Sequence, residues 1–484
     1  MVGEKMFVGR TEYLEDLATL WKKGVPSLVA CRGRRRVGKS TLFRQFAAKT
    51  AESYIEIEGL PPHKSMDNQK QLDAFMNALV CQTGMACGSV DNWYAAFNWL
   101  DRAVDDRKRT VVLLDEISWM GAFDLDFPGY LRSAWETFFH RHPKLILVIC
   151  GSASAWIKEN ILDNTGFAGR LSRDYVLPEL PLSECVKFWG RKASRLDSRE
   201  ILDVLSVTGG VPRYLEEIDP GLSGDENIRR MCFLEEGVLY RDFDAMFSEV
   251  FGGDVSTRRR ILEELSDGSK SGAELAVRLG VENNGHFSAQ LRALAESGFI
   301  SADEGKNPET GKDARVGRYR LRDNYIRFYL RYIAPQRTEI KSGAFKFSSV
   351  SMLPGWNAML GLQFENLVVN NVRSLIPLLG IGSNIVLSAA PYRIVRKDAN
   401  GNAGGLQIDL LVQTARTAYV VEIKRKRYID ESIEAEVERK IDRLPLRKGL
   451  SARAVLVYDG ELDPVVEGNG FFDAIIPASR LLGL

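Results

Sequence analysis

The sequence predicts an α/β protein: a doubly wound parallel core in front, a mostly helical middle, and a second, smaller α/β unit at the end. Three observations carry this. Short, continuously apolar segments alternate with helical patterns through the first 177 residues. Three helical stretches are followed by a strand pair near residues 258–322. Two apolar strands and a charged helix then recur after residue 400.

The front strands are SLVAC (27–31), YIEIE (54–58), TVVLLD (110–115), LILVIC (145–150) and DYVL (174–177). Most lack polar alternation, as expected of strands buried on both faces of a parallel sheet. Helical patterns separate them, which predicts a doubly wound core ending near 178 and a helical lid over 179–248. In 258–300, apolar residues recur at steps of three and four (Ile261, Leu262, Leu265, Leu275, Leu279, Leu291, Leu294), with breaks at Gly268 and Gly280. With the hairpin that follows, this predicts a winged helix-turn-helix over 249–334. Residues 335–350 read as a linker. The unit 351–484 is expected to hold a helix at 360–375, strands near 407–412 and 418–424, a helix at 430–443 and a strand at 453–458.

A chain of 484 residues suggests about three or four domains. The net charge is +1, so the total charge favours no polyanionic partner. No segment approaches the ~18 apolar residues of a membrane span, and Met1–Arg10 lacks an apolar signal region. The six cysteines form no CxxC pair, and the four histidines have no metal-ligand spacing. This predicts reduced thiols and a cytoplasmic location.

GRRRVGKS (33–40) matches GxxxxGK[ST], a pattern expected by chance in a chain this long about 2% of the time. An apolar strand precedes it and a helix follows. Gly33 and Gly38 let backbone amides curl around phosphates, and Lys39 reaches the outer phosphates. Ser40 binds magnesium, with Thr41 beside it at the helix N-terminus. Arg34, Arg35 and Arg36 either screen phosphate or sit in solvent. VVLLDE (111–116) supplies Asp115 for the magnesium shell and Glu116 to polarise the attacking water. Ser152, at the end of the next strand, is placed to sense the terminal phosphate. Arg170 is either an arginine finger acting on a neighbouring subunit, and so a mark of a homo-oligomer, or a plain surface arginine.

FVGR (7–10), GRRRVGKS, VVLLDE, the GSAS strand end and TGGVPRYLE (208–216) together resemble the archaeal-type AAA+ ATPases, close to the STAND switch ATPases. The resemblance implies that Gly9 and Arg10 line the base pocket and that Arg213 of the lid contacts phosphate. It also implies a fused tail similar to PD-(D/E)XK nucleases, a restriction-endonuclease-like fold.

In that tail, QIDLLV (407–412) and AYVVEIK (418–424) read as a hairpin. Spacing alone is uninformative, because D-x(10–20)-E-x-K is expected about once by chance in this length. Glu422 and Lys424, two apart, share one strand face. A register setting Asp409 beside Glu422 would gather two carboxylates and a lysine, a set able to hold magnesium or manganese and activate water. Lys424 would orient or deprotonate that water, or neutralise developing charge. Glu365, on the preceding helix, matches the family's helical acid. Where the family has a proline before its first acid, this chain has Gln407-Ile408. Arg425, Lys426 and Arg427 read as a nucleic-acid-facing rim or as a solvated turn.

Residues 311–346 hold ten basic residues (312, 315, 318, 320, 322, 327, 331, 337, 341, 346) against three acids (313, 323, 339). Such a stripe suits phosphate contacts with DNA, or is a packed helix with a solvated face. The expected function is an ATP-binding and hydrolysing protein that acts on DNA through a gated, metal-dependent nuclease. The alternative is a STAND-type switch whose tail only binds.

Overall fold

The computed structural model describes residues 7–152, 154–251, 255–313, 317–397 and 403–484. Residues 1–6, Ala153 and Arg315, named above, lie outside this set. The chain divides into two compact units. The first comprises Met1–Leu180, Asp244–Val255 and Arg292–Gly298; the second comprises Pro181–Phe243, Ser256–Leu291 and Phe299–Leu484.

The first unit is built on five parallel strands, β1 (Ser27–Arg32), β2 (Ser53–Glu58), β3 (Thr110–Asp115), β4 (Leu145–Gly151) and β5 (Leu171–Val176), in the order β2-β3-β4-β1-β5. All five fall where apolar runs predicted them. β3 and β4 are buried at every position, as an unbroken apolar run requires when helices cover both faces. One face packs under α1 (Thr11–Leu20) and α2 (Lys39–Thr50), with Leu17, Leu42, Phe43 and Phe46 against Val29, Val111 and Val148. The other is covered by α3 (Asn68–Thr83), α4 (Trp93–Arg102) and α5 (Phe127–Thr137), where Phe75, Trp93, Phe97 and Phe127 form an aromatic cluster. Asp67 and Asn92 cap α3 and α4 by accepting from Lys70 N–H and Ala95 N–H.

The second unit starts with helices, among them α6 (Ser198–Thr208) and α7 (Gly224–Cys232), the latter opened by a Ser223–Glu226 capping box. Then come α8 (Val255–Leu265), α9 (Gly272–Leu279), α10 (Gly285–Glu296) and the antiparallel pair β6 (Ile300–Asp303) and β7 (Arg318–Leu321), of which Val255 and the end of α10 from Arg292 are counted with the first unit. These are the three helices and hairpin expected here. Residues 335–350 are no free linker: Ile340 and Val350 are buried, and Phe345 stacks on Phe233 at 4.3 Å.

Helix α11 (Trp356–Asn370) leads into a five-stranded sheet ordered β12-β11-β10-β9-β8. Its strands are β8 (Ser388–Lys397), β9 (Ala403–Gln413), β10 (Thr417–Ile429), β11 (Ser451–Leu462) and β12 (Ala474–Pro477). β8, β9 and β10 run antiparallel, whereas β10, β11 and β12 run parallel. The crossover from β10 to β11 carries α12 (Ser432–Arg443), whose Ile433 and Val437 pack on Val420 and Leu456. Among the described residues no helix is long and apolar enough to cross a membrane.

Candidate functional site

In the first unit the phosphate-type loop leaves β1 and opens α2. Gly33 sits at φ 144°, and a Cβ there would stand 2.5 Å from the Leu177 carbonyl oxygen, so only glycine fits. Gly38, at φ 86°, turns the chain into α2. Lys39 is buried, and its Nζ donates to the Gly33 and Arg34 carbonyl oxygens, both at 3.2 Å. The ammonium thus lies folded over the loop, held by oxygens of the kind a phosphate presents. Arg34 is also buried and belongs to the loop's packing, while Arg36 adopts the left-handed φ of 69°. Thr41 is exposed in the first turn of α2.

Ser40 Oγ donates to Asp115 Oδ2, joining the loop to the end of β3. The next residue, Glu116, is held at φ 46°, a strained region for a non-glycine. Its carboxylate accepts from Ser152 N–H at 3.1 Å and from Ser152 Oγ at 2.9 Å. Ser152, expected as a phosphate sensor, therefore grips the candidate base. Arg10, at φ 62° beside Gly9 at φ 71°, donates to the Val37 and Pro178 carbonyl oxygens at 3.2 and 2.5 Å, tying the segment before α1 to the phosphate-type loop and to the chain just after β5. Arg170 pairs with Glu136 on α5 of the same chain.

Sequence reasoning missed Glu58. The β2–β3 register sets it opposite Asp115, and burial followed by the charges of Asp115 and Glu116 raises its carboxyl above the usual range. The signal was present: YIEIE ends level with VVLLD. Arg213 belongs to the second unit, in the short helix Pro212–Leu215, and pairs there with Glu217 at 2.5 Å.

In the second unit the β9–β10 register pairs Val420 with Leu411 and Val421 with Leu410. Beyond that pair the ladder opens. Asp409 Oδ2 accepts from Ile423 N–H at 3.0 Å, so the side chain takes over where the backbone pairing stops. Asp409, Glu422 and Lys424 line one open cleft of about 420 Å³ together with Gln407, Glu436, Arg439 and Lys440. Glu422 is fully buried. Lys440 Nζ donates to its Oε2 at 2.6 Å, and Lys424 Nζ stands 2.7 Å from its Oε1. That second approach lies outside hydrogen-bond geometry and leaves Oε1 without a hydrogen-bond donor. Lys424 also donates to Glu436 at 2.9 Å.

Burial, then repulsion from Glu422 and Glu365, pushes the Asp409 carboxyl up to about 7; Lys440 and the Ile423 amide oppose this. Glu365 is raised as well, first by burial, with Glu422 adding to the effect and Arg320 and Arg327 opposing it. Burial works against the Lys424 charge, yet Glu422 and Glu436 outweigh it and hold the ammonium above its ordinary value. Lys424 is therefore a fixed cation suited to orienting water or neutralising charge, not a base. Lys440 and Glu436, one helical turn apart on α12, complete the cluster.

Glu365 opens into a neighbouring cavity, not into the cleft of the other two acids. Among the described residues no group of three or more His, Cys, Asp or Glu side chains gathers closely enough to hold a metal ion. Of the three acids in the cleft, Glu436 is engaged by Lys424, and Asp409 and Glu422 are hard oxygen donors of the type magnesium takes one or two at a time alongside waters. This donor set fits such an ion, which would displace the Lys424 and Lys440 ammonium groups now at Glu422 Oε1 and Oε2. In the first unit the adjoining Ser40 hydroxyl and Asp115 carboxylate fit one as well.

The basic rim needs correction at Arg425. Its side chain is 4% exposed and pairs with Asp203 on α6 and with Asp459 on β11 at 2.9 Å, whereas Lys426 and Arg427 are exposed. The basic stretch is likewise partly internal, since Arg327 is 1% exposed.

Residues 7–218 match the family model described as an ATPase domain predominantly from Archaea. An uncharacterized protein of Methanocaldococcus jannaschii is 25% identical over 378 residues, covering 74% of this chain and 76% of that protein. An uncharacterized ATP-binding protein of the same organism is 46% identical over 46 residues, 10% of this chain and 78% of its own length. The Walker-type ATPase of Pyrococcus abyssi shares the fold at TM-score 0.52 and 15% identity, covering 67% of this chain and 96% of that one. The front of this chain is thus similar to archaeal-type ATPase domains and has the fold of a Walker-type ATPase.

Proposed function

We propose that the protein couples ATP hydrolysis in its first unit to metal-dependent cleavage of DNA phosphodiesters in its C-terminal sheet. The segments are a core at 1–178, a lid at 179–248, a winged helix-turn-helix at 249–334 and a nuclease-like unit at 351–484. The observation that carries the cleavage reading is the convergence of Asp409, Glu422 and Lys424 on one cleft, with Asp409 bridging to the Ile423 amide. The order helix, three antiparallel strands, helix, parallel strand supports the PD-(D/E)XK assignment.

In the front unit Lys39 would exchange its two loop carbonyls for phosphate oxygens. Ser40 and Asp115 would hold magnesium, which neutralises phosphate charge when bound. Glu116, fixed by Ser152, would polarise the attacking water, and Ser152 would report the terminal phosphate to that base. Gly9 and Arg10 would border the base, with Thr41 at the helix end and Arg213 reaching phosphate from the lid. Arg170 would serve a neighbouring subunit only after leaving Glu136. In the tail, Asp409 and Glu422 would hold magnesium or manganese, which supplies an activated water when bound. Lys424 would orient that water and offset charge on the phosphate, with Glu365 as a further carboxylate.

The test is cleavage of single-stranded, duplex and branched DNA with magnesium or manganese. Asp409→Ala abolishes nicking and leaves ATP turnover intact. Absence of cleavage on all three substrates by the unaltered protein overturns the nuclease reading.

One observation favours a second reading, a STAND-type switch with a non-catalytic tail. The Lys440 ammonium already sits on Glu422, where a cation would sit. That reading expects slow hydrolysis, retained ADP and no dependence of any activity on Asp409 or Lys424.

A further inference from the structure

A second cavity, of about 390 Å³, adjoins the carboxylate cleft within the same unit. Hairpin β6–β7, helix α11 and strands β8 and β9 contribute to its walls. Six basic side chains line it, Lys270, Lys306, Arg318, Arg320, Arg327 and Arg393, against three acidic ones.

Three of these cations are arranged as an anion site. Arg327 is 1% exposed, and its guanidinium donates only to uncharged oxygens: Ser266 O at 3.2 Å, Leu321 O at 2.9 Å and Gln363 Oε1 at 2.5 Å. No carboxylate pairs with it among the described residues. Glu365, Asp323 and Asp267 act on it only from beyond ion-pair contact, so an anion entering the cavity would add a direct counter-charge to a buried cation. The Nε of Arg320 is buried with no hydrogen-bond partner, 3.5 Å from Asp303. Arg393 is exposed and has no hydrogen-bond or ion-pair partner among the described residues.

Two further features turn an anion site into a path. Arg393 pairs with Gln407 across the β8–β9 ladder, and Gln407 lines both this cavity and the cleft of Asp409 and Glu422. Tyr392, half-buried and packed on the core of the tail sheet, adds an aromatic side chain to the same wall. A basic groove with an aromatic platform is the recognition chemistry of unpaired strands, because every base has a stacking face. A duplex, whose two backbones stand on either side of a major groove ~12 Å wide, is too broad for a cavity of about 390 Å³.

We propose that this cavity binds the phosphate backbone of an unpaired nucleic-acid strand and leads it past Gln407 to the carboxylate cleft. The inference rests on the nuclease reading for the direction of the path, but its binding test is independent of cleavage. Full-length Asp409→Asn protein, in EDTA, is titrated with a fluorescein-labelled unpaired deoxyoligonucleotide and anisotropy is read. Adding Arg393→Glu weakens binding at least about tenfold and lowers the slope of log K against log salt by about 0.7 for each phosphate no longer neutralised. Lys448→Glu, an exposed charge outside the cavity, leaves affinity within about twofold.

Equal weakening by both reversals overturns the proposal, as does competition by duplex or inorganic phosphate matching that of the unlabelled strand. Loss of binding in Arg393→Glu, with no cleavage by unaltered protein on any substrate, keeps the cavity and removes the nuclease. Cleavage by the unaltered protein with binding untouched in Arg393→Glu does the reverse.

Discussion

Replacing Asp409 by asparagine removes a charge while keeping an oxygen to accept from the Ile423 amide. In the folded protein this carboxyl is pushed up to about 7 by burial and by Glu422 and Glu365, against an ordinary 3.8. An acid raised on folding binds more protons folded than unfolded across that interval. Stability therefore falls as pH climbs from about 4 to about 7, and is flat on either side. The full rise corresponds to about 4 kcal/mol, a ceiling because the neighbouring acids titrate with it. Asp409→Asn lifts this penalty. Because the chain has two units, a single global midpoint is not the right readout. Hydrogen exchange of β10 peptides reports the local free energy instead. Below pH 4 the two proteins are expected to coincide. Above pH 7, without divalent metal, β10 should be more protected in Asp409→Asn by at least about 1 kcal/mol. A difference that is constant across pH would refute the claim that these carboxylates share one buried patch.

Other outcomes follow from the same geometry. Gly33→Ala drives a methyl into the Leu177 carbonyl and should lower stability by about 2 kcal/mol or more, read from thermal unfolding of the first unit. Ser152→Ala removes the hydroxyl donor from the Glu116 carboxylate, leaving only the backbone N–H, and should lower ATP turnover at least about tenfold while nucleotide affinity changes little, a split read from kcat against KM. Arg425→Met breaks buried pairs with Asp203 and Asp459 and should cost about 3 kcal/mol in urea unfolding of the second unit.

The front unit was legible because β1, β3 and β4 are nearly unbroken apolar runs and its loop motif is local in sequence. β1 to β5 needed no long-range knowledge to place. In the tail the helices now α11 and α12 were legible, but among its strands only those that repeat that habit, β9, β10 and β11. β8 was missed because SAAPYRIVRK mixes a proline with alternating basic residues and reads as an edge or a loop. β12 is four residues long. Side-chain destinations were least legible. Arg425 sits in a basic run, yet its partner Asp203 is 222 residues away. The Lys440–Glu422 pair spans 18 residues and needs α12 to fold back over β10. Glu365 matches the helical acid by position, but the angle of α11 turns it into the adjoining cavity, and no spacing rule encodes that angle.

Manganese calorimetry tests the central claim most directly. The account predicts a heat of binding at the tail's carboxylates, measured in full-length protein with the phosphate loop disabled by Lys39→Ala and Asp115→Asn. Adding Glu422→Gln abolishes that heat, and Lys440→Met tightens binding by removing the competing ammonium. Heat that survives Glu422→Gln, or manganese that never binds, would contradict it.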